Sequence, residues 1–160
     1  DVTTFRSLNP FTFKITGRTQ EYINAFGEDL LLSNVQNALM KTNQSFDCSI
    51  RDYTVAPFYI NIEHKGRIQF AIEFSKAPAD ISAYEKLLDE NLQSENSNYK
   101  QKRTNNLALT TLQVIALPKG TFYQWLSSKN KLGGQNKVPR LVNGRKVIDE
   151  VLEITSSSQS

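Results

Sequence analysis

At 160 residues, 39% of them hydrophobic and 22% charged, the chain is sized for one domain that buries its own core without disulfide or metal support. Nineteen basic against 16 acidic side chains leave a formal charge of +3, too slight an excess to imply a nucleic-acid partner. One cysteine, Cys48, and one histidine, His64, exclude an internal disulfide and a soft-ligand metal site, which favours a reducing, cytoplasmic setting, and no apolar run approaches the roughly 20 residues of a membrane span.

Phe5, then Phe11, Phe13 and Ile15 after the turn pair Asn9-Pro10, predict a hairpin over residues 3 to 16 that ends at Gly17-Arg18. A short extended piece from Tyr22 to Phe26 stops at Gly27. Ser33-Asn34-Val35-Gln36 has the pattern of a capping box and predicts a helix to about Asn43. Phe58, Ile60 and Ile62, then Ile68, Phe70, Ile72 and Phe74, alternate on either side of Glu63-His64-Lys65-Gly66, which predicts a β-hairpin with one core face. Ser82-Ala83-Tyr84-Glu85 is a second box, opening a helix with Tyr84, Leu87, Leu88 and Leu92 inward and Asp89 and Glu90 on a solvated face.

A strand through Leu112 and Val114 follows, and Gly120-Thr121-Phe122-Tyr123-Gln124 opens a helix that buries Phe122, Trp125 and Leu126. Val147, Ile148, Val151 and Leu152 mark a last amphipathic helix, and residues 154 to 160 read as a disordered polar tail. From about residue 20 the order is β-α-β-β-α-β-α. That is the split pattern of a ferredoxin-like α+β domain with a mixed sheet, carrying the first hairpin as an arm.

Cys48 reads as a small buried hydrophobe and His64 as a solvated turn residue, so neither supplies a nucleophile–base pair. The stretch Lys65 to Phe74 departs from the RNA-recognition signature. Arg67 and Gln69 stand where that signature has aromatics, which sends Phe70 and Phe74 to the core face and leaves an RNA- or protein-binding module as the alternative reading. The segment with the clearest capacity for chemistry is Gly133-Gly134-Gln135-Asn136-Lys137-Val138-Pro139-Arg140. Its glycines let backbone N–H groups approach an anion closely, and Lys137 and Arg140 add charge. With Gly17-Arg18 it suggests a lid that donates cations to a phosphate held by another domain.

Residues 15 to 28, Ile15-Thr16-Gly17-Arg18-Thr19-Gln20 through Glu28, together with residues 133 to 140, resemble the bacterial branch of the Gretchen Hagen three family of acyl acid-amido synthetases, over essentially residues 1 to 153. The resemblance implies membership of the adenylate-forming superfamily, whose members activate a carboxylic acid with ATP and Mg2+ and pass the acyl group to an amine. It implies that residues 1 to 18 are a remnant of a large N-terminal domain and residues 19 to 153 a C-terminal lid. The isolated lid is then inactive and holds no cofactor tightly, and its partners are the missing domain, the acid and the amine, without nucleic acid or membrane. By the same resemblance Asp1 and Arg18 contact the nucleotide, Gln20 stands at the hinge, Lys137 enters the site during adenylation, and Arg140 supports the loop or touches phosphate. Glu28-Asp29 occupies the loop where plant members carry a lysine, and no role is implied there.

Overall fold

The computed structural model describes residues 2–8, 11–17, 21–60, 65–104, 108–129 and 137–158, the first two ranges as backbone only. Val2–Leu8 (β1) and Phe11–Gly17 (β2) pair antiparallel as the expected hairpin arm. Tyr22–Ile23 (β3) pairs with Leu30–Leu31 (β4) around a turn in which Gly27 and Asp29 take φ of +77° and +46°. β3 therefore closes a two-stranded ribbon and does not enter the main sheet. Leu32–Phe46 (α1) follows directly, with the Asn34 Oδ1 accepting from the Leu31 N–H at 3.0 Å. That bond starts the helix earlier than the Ser33 box predicts and places Ser33 inside its first turn.

The main sheet has three strands in the order β5 (Ser49–Tyr59), β6 (Gly66–Lys76) and β7 (Gln113–Ala116). β5 and β6 are antiparallel, and β7 lies parallel to β6 after a crossover through α2 (Ile81–Glu95) and α3 (Ser97–Arg103). On one face α1 and α2 cover Val55, Ile68, Phe70, Ile72 and Phe74. On the other, α4 (Thr121–Ser128) and α5 (Lys146–Ser157) cover Ala56 and Ala71 with Phe122, Trp125, Ile148 and Val151. The result is an α+β domain with a mixed sheet and flanking helices, consistent with the ferredoxin-like expectation. Phe70 and Phe74 are core residues as their register predicted, and the face opposite them, where an RNA-recognition domain would stack bases, is covered by α4 and α5.

Several elements differ from the sequence reading for identifiable reasons. β5 begins at Ser49, and its core residues are Tyr53, Val55 and Ala56, whereas Ile60 is 42% exposed. Ile62, His64 and the turn around them lie outside the described residues. α2 is capped by Asp80, whose carboxylate accepts from the Ala83 N–H at 3.1 Å, so Ser82 falls within the helix. Asp89 is buried at 3% exposure, not solvated, because α3 covers it. Its carboxylate accepts from the Tyr99 hydroxyl at 2.6 Å, the Arg103 guanidinium at 2.8 Å and the Leu112 N–H at 3.3 Å, tying α2, α3 and the approach to β7 together.

α4 has glycine, Gly120, at its N-cap with φ +89° and no side-chain cap of its own. Instead the buried Glu73 of β6 accepts from the Gly120 N–H at 2.7 Å and the Phe122 N–H at 3.1 Å, placing a carboxylate at the positive helix end. α5 runs to Ser157, through most of the expected disordered tail. Ile154 packs on the second core, and Ser156, Ser157 and Ser158 each bond back to a carbonyl four residues earlier.

Candidate functional site

The edge of β5 receives the chain as it returns from α4. The Arg140 carbonyl accepts from the Val55 N–H at 2.7 Å, the Val142 N–H donates to the Val55 carbonyl at 3.0 Å, and the buried Thr54 hydroxyl donates to the Pro139 carbonyl at 2.7 Å. Val55 and Leu141 form an isolated parallel bridge, so residues 140 to 142 act as a fourth, minimal strand. Two side chains fasten it from opposite sides: Val138 is buried in the core under α4 and α5, and Leu141 in the core under α1 and α2. Lys137 sits one residue before this anchor, exposed, with no hydrogen bond or ion pair to the described residues. The glycine part of the expected loop, Gly133 to Asn136, lies outside the described residues.

Arg140 is committed elsewhere. Its guanidinium donates to the Asp52 carboxylate and, at 3.2 Å, to the Tyr53 carbonyl, and it lies 4.6 Å from the Tyr53 ring centroid. These contacts hold its guanidinium against β5. Its backbone N–H donates to Glu21 Oε2 at 3.2 Å. Asn143 completes the junction: its Oδ1 accepts from the Asn24 N–H at 2.8 Å and its Nδ2 donates to the Tyr22 carbonyl at 3.3 Å. The segment bearing Lys137 is therefore bonded to residues 21 to 24. Asp1, Arg18 and Gln20 lie outside the described residues, so the structure brings together only Lys137 and Arg140 of the predicted set.

Sequence reasoning missed Glu21, Asp52 and Asn143. Asn143-Gly144 carries a turn signal, but nothing local distinguishes a carboxylate or amide that bonds a segment more than 80 residues away. Glu28, given no role from sequence, is fully buried, with Oε2 accepting from the Phe26 N–H at 2.7 Å and Oε1 without a partner. Burial, more than the neighbouring Asp29, raises its pKa above the usual carboxylate value.

A cleft of about 580 Å³ beside the anchored segment is lined by Met40, Asn43, Cys48, Arg51, Tyr53 and Arg140. Of the two cations there, Arg140 is paired with Asp52, whereas Arg51 is 66% exposed and lies 3.9 Å from Glu73. Cys48 is half-buried, and burial raises its thiol pKa. Among the described residues, no group of three His, Cys, Asp or Glu side chains could hold a metal ion, and no helix is long and apolar enough to cross a membrane.

No curated protein matches this chain. Solved structures similar to it in fold include two acyl acid amido synthetases. One, "GH3.15 acyl acid amido synthetase", has a TM-score of 0.67 and 16% identity, over 97% of this chain and 29% of that one. The other, "AtGH3.15 acyl acid amido synthetase in complex with 2,4-DB", has a TM-score of 0.66 and 18% identity, over 92% of this chain and 26% of that one. The chain thus spans under a third of the structures it matches. The sequence profile described as "GH3 family C-terminal domain" matches residues 33–146, which contain the central sheet, Lys137 and the Arg140 anchor. The chain belongs to the GH3 family, the Gretchen Hagen three family, as a C-terminal domain of that family.

Proposed function

We propose that this chain is the C-terminal lid of an enzyme that activates a carboxylic acid with ATP and transfers the acyl group to an amine, with Lys137 supplying a cation to the adenylation step. The observation that carries the reading is Lys137 itself: an exposed ammonium, unpaired among the described residues, set one residue before an anchor buried in two cores. In adenylation a carboxylate oxygen attacks the α-phosphorus of ATP, and the bond to the pyrophosphate oxygen breaks with its electron pair. Negative charge builds on the oxygens around phosphorus as this happens. A cation whose root is already fixed stabilises that charge without reorganising, and removing one such donor costs about 10²- to 10³-fold in rate. In the second step the amine nitrogen attacks the acyl carbon, AMP leaves and the amine gives up a proton.

Family membership and the fold supply the rest of the reading. Asp1 and Arg18 reach the nucleotide, and the hinge lies near residues 18 to 21, where Gln20 stands. The donor set of the described residues suits a phosphate-contacting lysine and does not suit Mg2+, so the metal and the nucleotide's main contacts fall to the large N-terminal domain. The 160-residue chain alone is then inactive.

The test is exchange of radiolabelled pyrophosphate into ATP by the full-length polypeptide. The acids offered should include 2,4-DB, the compound named with one similar structure. Exchange that requires both the acid and the large domain is expected. Absence of exchange with every acid, or exchange catalysed by the 160-residue chain alone, would overturn the proposal.

A further inference from the structure

We infer that Glu21 and Asn143 are positioning residues that set where Lys137 stands relative to the chain leaving the hinge, an inference that rests on the reading of Lys137 given above. Three hydrogen bonds make the connection. Glu21 Oε2 accepts from the Arg140 N–H at 3.2 Å, Asn143 Oδ1 accepts from the Asn24 N–H at 2.8 Å, and Asn143 Nδ2 donates to the Tyr22 carbonyl at 3.3 Å. Each side chain reaches backbone on the opposite segment, so the two segments are cross-linked reciprocally.

These bonds are not what holds residues 137 to 142 in the fold. Two backbone hydrogen bonds to Val55, the Thr54 hydroxyl and the buried Val138 and Leu141 already do that. Glu21 and Asn143 add a specific relation to residues 21 to 24, the first residues beyond the expected hinge. A rotation that begins there is passed to the root of Lys137 without slack. Because a misplacement of about 1 Å can cost about 100-fold in a reaction that depends on orientation, loosening this junction acts on turnover and leaves ground-state binding in place.

The experiment uses the full-length polypeptide with Glu21→Ala, Asn143→Ala, Glu21→Gln and Lys137→Ala, singly and with each alanine variant combined with Lys137→Ala. Two readings are taken: pyrophosphate exchange and amide hydrogen exchange. Glu21→Ala and Asn143→Ala are expected to lower the exchange kcat by roughly tenfold with KM for ATP and acid within about twofold of wild type. Neither should lower the rate further in the Lys137→Ala background, and Glu21→Gln, which keeps an acceptor oxygen, should restore most of the rate. The Arg140 amide should exchange faster in Glu21→Ala, and the Asn24 amide in Asn143→Ala, while the Val55 amide keeps its protection.

Unchanged protection of those amides, or rate losses that add in full to that of Lys137→Ala, would overturn the inference. If Lys137→Ala alone leaves exchange intact, the reading of Lys137 fails and the catalytic half of the inference with it, and the amide protection still decides whether the clamp exists. If Lys137→Ala abolishes exchange while Glu21→Ala and Asn143→Ala retain it, only the positioning roles fail.

Discussion

Replacing Arg140 by alanine separates a residue that supports the Lys137 segment from one that binds phosphate. The guanidinium makes a charge-assisted hydrogen bond to Asp52, a second bond to the Tyr53 carbonyl at 3.2 Å, and a contact with the Tyr53 ring at 4.6 Å. Hydrogen bonds to charged groups contribute about 1.5–3 kcal/mol, whereas fully exposed ion pairs contribute about 0–1 kcal/mol. With the two side chains 34% and 23% exposed, the pair falls between these limits, and the ring contact adds about 0.5 kcal/mol. The expected loss is about 2 kcal/mol, or roughly 4–8 °C in Tm for a domain of this size. A double-mutant cycle with Asp52→Ala should return a coupling of about 1 kcal/mol by chemical denaturation. In the full-length polypeptide KM for ATP should stay within about twofold of wild type. A coupling near zero together with a raised KM for ATP would refute the supporting role and make Arg140 a phosphate ligand.

Asp89→Ala removes the counter-charge of Arg103, whose side chain is 10% exposed and keeps its bonds to the Leu109 carbonyl and the Thr111 hydroxyl, and takes the carboxylate acceptor from the Tyr99 hydroxyl and the Leu112 N–H, so urea unfolding should show a loss of about 3–5 kcal/mol. Tyr99→Phe should cost about 1–2 kcal/mol in the same assay, since it removes one of several partners of the carboxylate. Glu28 has a folded-state pKa above its ordinary 4.5, so the folded chain holds that proton more tightly than the unfolded one. Its contribution is therefore fully present below the unfolded value and is lost as pH rises through the folded value. The unfolding free energy of wild type minus that of Glu28→Gln should fall as pH rises above the ordinary value of 4.5, and a flat difference would contradict the burial of the charge. Cys48, with its thiol pKa raised by burial and donating to Asn43 Oδ1 at 3.3 Å, should react with a disulfide reagent at neutral pH several-fold more slowly than the unfolded chain.

What could be read from the sequence was whatever local periodicity encodes. Phe70, Ile72 and Phe74 alternate plainly, and Tyr84, Leu88 and Leu92 repeat at helical spacing, so β6 and α2 were visible. β5 was displaced because residues 53 to 57 are all buried, one face under α1 and α2 and the other under α4 and α5, and this erases the alternation that marks a half-exposed strand. Pro57 further disguises it, although an edge position accepts a residue without an N–H. The caps were misplaced for a related reason. Local patterns favoured Ser33, Ser82 and a glycine-led box, whereas Asn34 and Asp80 supply the first two caps and Glu73, 47 residues away in sequence, supplies the third. α3 went unseen because its seven residues carry a single buried anchor, Tyr99. At the site, Lys137 stood out by composition and by family resemblance, while Glu21, Asp52 and Asn143 acquire their partners only through the tertiary fold.

The proposed role of Lys137 is in adenylation and not in acyl transfer. The most direct measurement compares the two half-reactions in the full-length Lys137→Ala protein: pyrophosphate exchange for the first, and amide formation from chemically supplied acyl-adenylate for the second. Exchange is predicted to fall by about 10²- to 10³-fold while amide formation stays within about threefold of wild type. Equal losses in both half-reactions, or undiminished exchange, would contradict it.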